Sequence, residues 1–182
     1  MAVRRKHIIL LVDDLLRKSS IQSPPVPVAE IAKTLGAEVR YQPGDDDLSG
    51  FLLRDHKQQR AVIGVNSAHH ENRQRFTIAH EIGHFLLHEW EGVHVDGSDR
   101  GFQIKHRDEK SSAGTDIDEL EANFFAAELL MPSKFLHEDV QRIKKLDLLD
   151  DNLGAFAQLA AKYEVSTQAL TFRLANLGYV RL

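Results

Sequence analysis

Apolar residues recur along this chain with two different periods, and the switch between them divides it into elements. Ile8, Leu11, Val12, Leu15 and Leu16 fall on one helical face, and Ser23-Pro24-Pro25 with Pro27 then interrupts the pattern. Val28, Ile31, Ala32 and Leu35 repeat the helical spacing, with Gly36 placed as a C-terminal stop. Glu38 to Gln42, Ser49 to Arg54 and Arg60 to Val65 are instead short and rich in valine, leucine and isoleucine. Pro43-Gly44-Asp45 and Asp55-His56-Lys57 turns separate them. They predict three strands, with meander order as the simplest arrangement of a small antiparallel or mixed sheet.

Helical spacing returns between Asn66 and Trp90, where Phe76, Ile78, Ala79, Ile82, Phe85 and Leu86 surround charged and histidine positions. A helix so apolar is expected to be buried. Glu91 to Thr115 is rich in Gly, Ser, Asp and Lys, with a weak strand signal at Phe102 to Ile104. It is long for a connection, so it reads as a mobile segment or a cover over a cleft. Thr115 or Asp116 caps the next helix, which Met131-Pro132 ends, and further helices are expected over Ser133 to Leu149 and Leu153 to Asn176. The elements predict an α+β fold. With 182 residues, a single domain over 1–182 is the expectation.

Composition narrows the chemistry. The basic start Arg4-Arg5-Lys6 leads into an apolar run, Ile8 to Val12, that Asp13 ends before the roughly 7 to 15 residues of a secretion-signal core. The absence of cysteine excludes disulfides, thiolate metal sites and a cysteine nucleophile, and it fits a reducing compartment, so a cytoplasmic location is expected. No stretch reads as a membrane span. A net charge of −4 lacks the basic excess of a dedicated nucleic-acid domain. Ten histidines in a chain without cysteine direct attention to imidazole chemistry.

His80-Glu81-Ile82-Gly83-His84 is an H-E-x-x-H motif on the buried helix. One helical turn separates the two imidazoles, so both emerge on one face and can ligate a single ion, while Glu81 lies beside it as a proton acceptor for activated water. The plain alternative is a pair of hydrogen-bonded core histidines with Glu81 as a surface charge. A catalytic zinc needs a third protein ligand. His88 lies about 12 Å from His80 along the axis at roughly 1.5 Å per residue, so it is expected to pack behind the ligands. The acidic helix Asp116 to Glu128 offers a better candidate. Glu119 shares a face with Ala122, Asn123 and Ala126, where small residues permit close approach and Asn123 can hold a ligand histidine through its other nitrogen. Glu119 is therefore preferred to Glu121. No residue identifies an oxyanion stabiliser; His88, His94, His106 and Tyr163 are the candidates.

The segments Arg75 to His88 and Glu119 to Pro132 resemble the ImmA/IrrE family of bacterial and phage-associated metallopeptidases. Leu48-Ser49-Gly50-Phe51 and Ala61 to Asn66 look like the family's strands, and the likeness covers roughly residues 25 to 135. The resemblance implies a zincin-like core, with His80, His84 and Glu119 as metal ligands, Glu81 as general base, and Asn123 orienting a histidine. Zinc is the implied metal, with manganese as the alternative. It also implies a protein substrate, a helix-turn-helix repressor whose cleavage derepresses mobile-element or stress-response genes.

Leu159 to Leu174, within a C-terminal subregion 152–182, looks like a helix-turn-helix with Ser166 capping its second helix. Only Arg173 is basic in that second helix, which is thin for phosphate contacts, so core packing or partner docking is preferred to DNA binding. The leading expectation is a zinc-dependent endopeptidase. Its rival is a non-enzymatic regulator that binds a repressor or DNA and whose metal site is structural or vestigial; an intact Glu81 speaks against that rival.

Overall fold

The computed structural model describes residues 2–55, 60–89, 92–97, 112–145 and 152–181. Among them are seven helices and one four-stranded sheet, the expected α+β class. The opening pattern forms α1 (Arg5–Lys18), with Ile8, Val12, Leu15 and Leu16 buried, and α2 (Val28–Thr34), after which Gly36 turns the chain with a positive φ. No helix among the described residues is long and apolar enough to cross a membrane.

Two expectations about the sheet are corrected. The strands β1 (Ala37–Gln42), β2 (Leu48–Asp55) and β3 (Arg60–Asn66) do not form a meander. β3 lies between the other two, parallel to β1 and antiparallel to β2. Period-two patterning tells which face of a strand is buried but not which strand is its neighbour. A buried asparagine helps route the chain: Asn66, at the end of β3, accepts from the Gly44 N–H and donates to the carbonyls of Asp45 and Leu48. It thereby carries the β1–β2 link over the end of β3.

A fourth strand, β4 (Gly92–Gly97), pairs antiparallel with β2 inside the stretch Glu91 to Thr115, read from the sequence as a mobile segment or cleft cover with a strand signal only at Phe102 to Ile104. Val93 and Val95 alternate with His94 and Asp96, a strand pattern too short to stand out from its Gly- and Asp-rich surroundings. The free hydrogen-bonding edge of β2 supplies what this segment's own propensity lacks. Phe102 to Ile104, where a strand signal was expected, lies outside the described residues, as does the rest of 98–111.

The helix expected from Asn66 begins later. α3 (Glu71–Leu87) starts after His70, whose Nδ1 accepts from the Asn72 N–H at 3.2 Å. α4 (Ser112–Leu130) begins upstream of the expected cap at Thr115 or Asp116. Leu52, Ile63 and Val65 of the sheet join Ile78, Ala79 and Ile82 of α3 and Phe125, Ala126 and Leu129 of α4 in one core. β2 runs close beneath α3. A β-carbon at Gly50 would sit 2.4 Å from Thr77 Cγ2, so only glycine permits that approach.

α5 (Ser133–Lys145), α6 (Asn152–Tyr163) and α7 (Thr167–Asn176) complete the chain. Ser166 Oγ caps α7 by accepting from the Ala169 N–H at 3.1 Å, as the sequence predicts. Arg173 does not face solvent. Its guanidinium is buried in an ion pair with Glu128 and donates to the Met131 carbonyl, while Glu128 also accepts from the Ser133 N–H and Oγ–H. The basic residue of this helix is thus a strut between α4 and α7, unavailable to a phosphate.

Candidate metal centre

α3 is covered by the sheet on one side and α4 on another, so His80, Glu81 and His84 are all buried although they are polar. Burying imidazoles is tolerable only where their nitrogens find partners. The Nε2 atoms of His80 and His84 lie 3.0 Å apart. Glu119, on α4, places one carboxylate oxygen 3.4 Å from His80 Nε2 and the other 3.3 Å from His84 Nε2. The three residues offer donor atoms that all lie within 4.8 Å of one another. Ligands about 2.0 to 2.2 Å from a tetrahedral ion are separated by roughly 3.3 Å, so these spacings match what a zinc-sized ion needs.

The backs of the rings are also engaged. His80 Nδ1 faces Asn123 Oδ1 at 3.1 Å, the position foreseen for Asn123. An amide oxygen can only accept, so His80 carries its proton on Nδ1 and turns the lone pair of Nε2 into the cluster. His84 Nδ1 faces His88 Nδ1 at 3.1 Å. The donor set therefore fits a divalent cation: two imidazole nitrogens and a carboxylate, converging on one point from two helices.

Close approach of those helices depends on Gly83. A β-carbon there would lie 3.1 Å from both Ala122 Cα and Phe125 Cδ1. Glu121, the less favoured glutamate of the sequence reading, turns away from the cluster toward the start of α1. Arg4 donates to it through its backbone N–H, Nε and Nη2, at 2.6 to 3.1 Å. That guanidinium holds the buried Glu121 carboxyl far below the usual range, at about 2. His88 Nε2 lies 3.4 Å from Glu121 Oε2, and burial pushes the His88 imidazole below its usual value, which favours the neutral ring. His88 thus sits behind His84, as its distance along the helix requires.

Sequence reasoning missed Arg4, Arg54 and the part played by Glu121. From β2, the guanidinium of Arg54 donates to the carbonyls of His84, Phe85 and His88 and stacks 4.8 Å over the Phe85 ring. A cation at that end of α3 also meets the negative pole of the helix. No spacing rule could pair Arg4 with a carboxylate 117 positions away. Of the candidate oxyanion stabilisers, Tyr163 is withdrawn: it is fully buried and its hydroxyl is engaged in donating to Asp139 Oδ2 at 2.9 Å. The side chain of His94 and all of His106 lie outside the described residues.

The architecture is shared with a Mycobacterium tuberculosis transcriptional regulator at a TM-score of 0.62 and 15% identity, over 93% of this chain and 46% of that one. At that identity the likeness speaks for the fold alone. The radiation response metalloprotease IrrE of Deinococcus radiodurans is 33% identical over 113 residues, 62% of this chain. The chain spans 30% of that relative's length. Residues 32–175, which include both helices bearing the cluster, match the model of the IrrE N-terminal-like domain, and the chain belongs to that peptidase family.

Proposed function

We propose that this protein is a zinc-dependent endopeptidase that holds its metal through His80, His84 and Glu119 and uses Glu81 as general base. The observation that carries the reading is the convergence of two Nε2 atoms and one carboxylate, from α3 and α4, with the buried Glu81 next to His80 in the chain. When bound, the metal supplies Lewis acidity toward a peptide carbonyl and acidifies water. Two imidazoles in the donor set favour zinc over manganese, which prefers oxygen ligands.

The remaining work falls to the chain. Glu81 accepts a proton from the attacking water at its carboxylate and delivers it to the departing amine nitrogen. Asn123 holds His80 by its Nδ1–H so that the ring does not rotate away from the site. Among the described residues β4 is last in the sheet order, and its edge is one along which an extended peptide segment can add main-chain hydrogen bonds.

The substrate we assign is a helix-turn-helix repressor, whose loss derepresses stress-response or mobile-element genes. The support is the ImmA/IrrE resemblance and the radiation-response relative. Direct DNA binding is disfavoured by the burial of Arg173.

The test incubates the purified protein with a candidate repressor, with added Zn2+, with chelator, and as Glu81→Gln. Cleavage that needs metal and falls by about 10²- to 10⁴-fold in Glu81→Gln is the expected result. Cleavage that survives chelation or the substitution would overturn the assignment.

A further inference from the structure

A continuous polar chain runs from Arg4 to a residue of the candidate metal centre. Arg4, just before α1, grips Glu121 with three donors and also donates from Nη2 to the Leu87 carbonyl at the end of α3. Glu121 Oε2 faces His88 Nε2 at 3.4 Å, and His88 Nδ1 faces His84 Nδ1 at 3.1 Å. His84 Nε2 then points at Glu119 and His80. Asp118 adds a second carboxylate oxygen 3.5 Å from His88 Nε2, on the same side as Glu121.

The direction of every proton in this chain follows from its end. A carboxylate clasped by a guanidinium is only an acceptor. Glu121 therefore draws a proton onto His88 Nε2, and the Asp118 carboxylate near the same nitrogen adds to that pull. A neutral imidazole with its proton on Nε2 has a lone pair on Nδ1, and that lone pair faces His84 Nδ1. His84 must then donate from Nδ1, which leaves its Nε2 lone pair directed into the metal cluster. The opposite tautomer of His88 would present a hydrogen to His84 Nδ1 and force the His84 proton onto Nε2, the atom a cation needs bare.

We propose that Arg4 and Glu121 are positioning residues that act through His88 to fix His84 in its metal-binding tautomer. This couples the N-terminal segment to metal affinity, and it rests on the reading of His84 as a ligand. Carboxylate–imidazole support of a ligand is worth about 10- to 100-fold in metal affinity. Here that support runs through a second imidazole and is anchored by an arginine outside both ligand helices.

The direct test needs no substitution. Long-range ¹H–¹⁵N correlation spectra of the full chain, with and without one equivalent of Zn2+, report which nitrogen of each ring is protonated. His88 with its proton on Nε2 in both states is the expected result. His88 protonated on Nδ1, or a mixture of tautomers, would overturn the proposal.

Glu121→Gln and Arg4→Gln provide the second arm. Competition with a chromophoric chelator should show Zn2+ affinity lowered about 10- to 100-fold in folded protein, with His88 losing its single tautomer, and Arg4→Lys should restore part of both. A merely structural role predicts lower melting temperatures with unchanged tautomer and affinity, and that outcome defeats the relay alone. An unaltered protein that binds no Zn2+ would instead defeat the metal-centre reading, and the relay with it.

Discussion

Replacing Gly83 by alanine tests the contact on which the whole site depends. In an isolated helix the change would stabilise, because alanine exceeds glycine by about 0.8 to 1.0 kcal/mol of helix propensity. Here the added methyl would meet Ala122 Cα at 3.1 Å, Phe125 Cδ1 at 3.1 Å and Phe125 Cβ at 3.2 Å. Carbon atoms settle at about 3.5 to 4.0 Å, so α3 and α4 must part by roughly 0.4 Å or more. Neither neighbour can yield locally, since one contact is a backbone atom and the other a fully buried ring. Overpacking of this kind costs about 1 to 3 kcal/mol, which outweighs the propensity gain and leaves a net loss of about 1 kcal/mol. Glu119 lies one turn before Ala122 on the helix that is displaced, so metal affinity should fall as well. Urea unfolding of the metal-free protein and Zn2+ titration measure the two effects separately. A variant more stable than the parent by about 1 kcal/mol, with affinity unchanged, would show that α3 and α4 do not touch at Gly83.

Three further outcomes are expected. Glu119→Ala should lower Zn2+ affinity by at least about tenfold while leaving the fold intact, because this carboxylate is partly exposed and carries no burial cost when removed; a competition titration reads it. Arg173→Met should cost about 3 to 5 kcal/mol in urea unfolding, because it strands the buried Glu128 carboxylate without its cation; a loss under 1 kcal/mol would show that the pair is solvated. Burial and the Asp139 carboxylate raise the Tyr163 hydroxyl above its ordinary value of 10.0. The folded state therefore keeps a proton that the unfolded chain releases, and this contribution to stability is present below pH 10 and declines as pH rises beyond it. Tyr163→Phe should flatten that alkaline decline in thermal melts taken from pH 8 to 11, even if it lowers stability at pH 8.

The motif residues were legible in the chain because their geometry is local. The spacing of His80 and His84 places both on one helical face whatever surrounds the helix, and the small residues Ala122, Asn123 and Ala126 distinguish Glu119 from Glu121 by the same rule. Helix periods and the Ser166 cap were readable for that reason too. Strand order was not, because a period of two leaves neighbours unspecified, and β4 exists chiefly because β2 had an edge to offer. Nor could any spacing join Arg4 to Glu121, or Arg54 to the end of α3. Local sequence determines which side chains a helix or strand carries on each face. Only the packing of α1, α3, α4 and the sheet decides that Glu121 meets Arg4 and that Arg54 meets the end of α3, since those contacts join residues far apart in the chain.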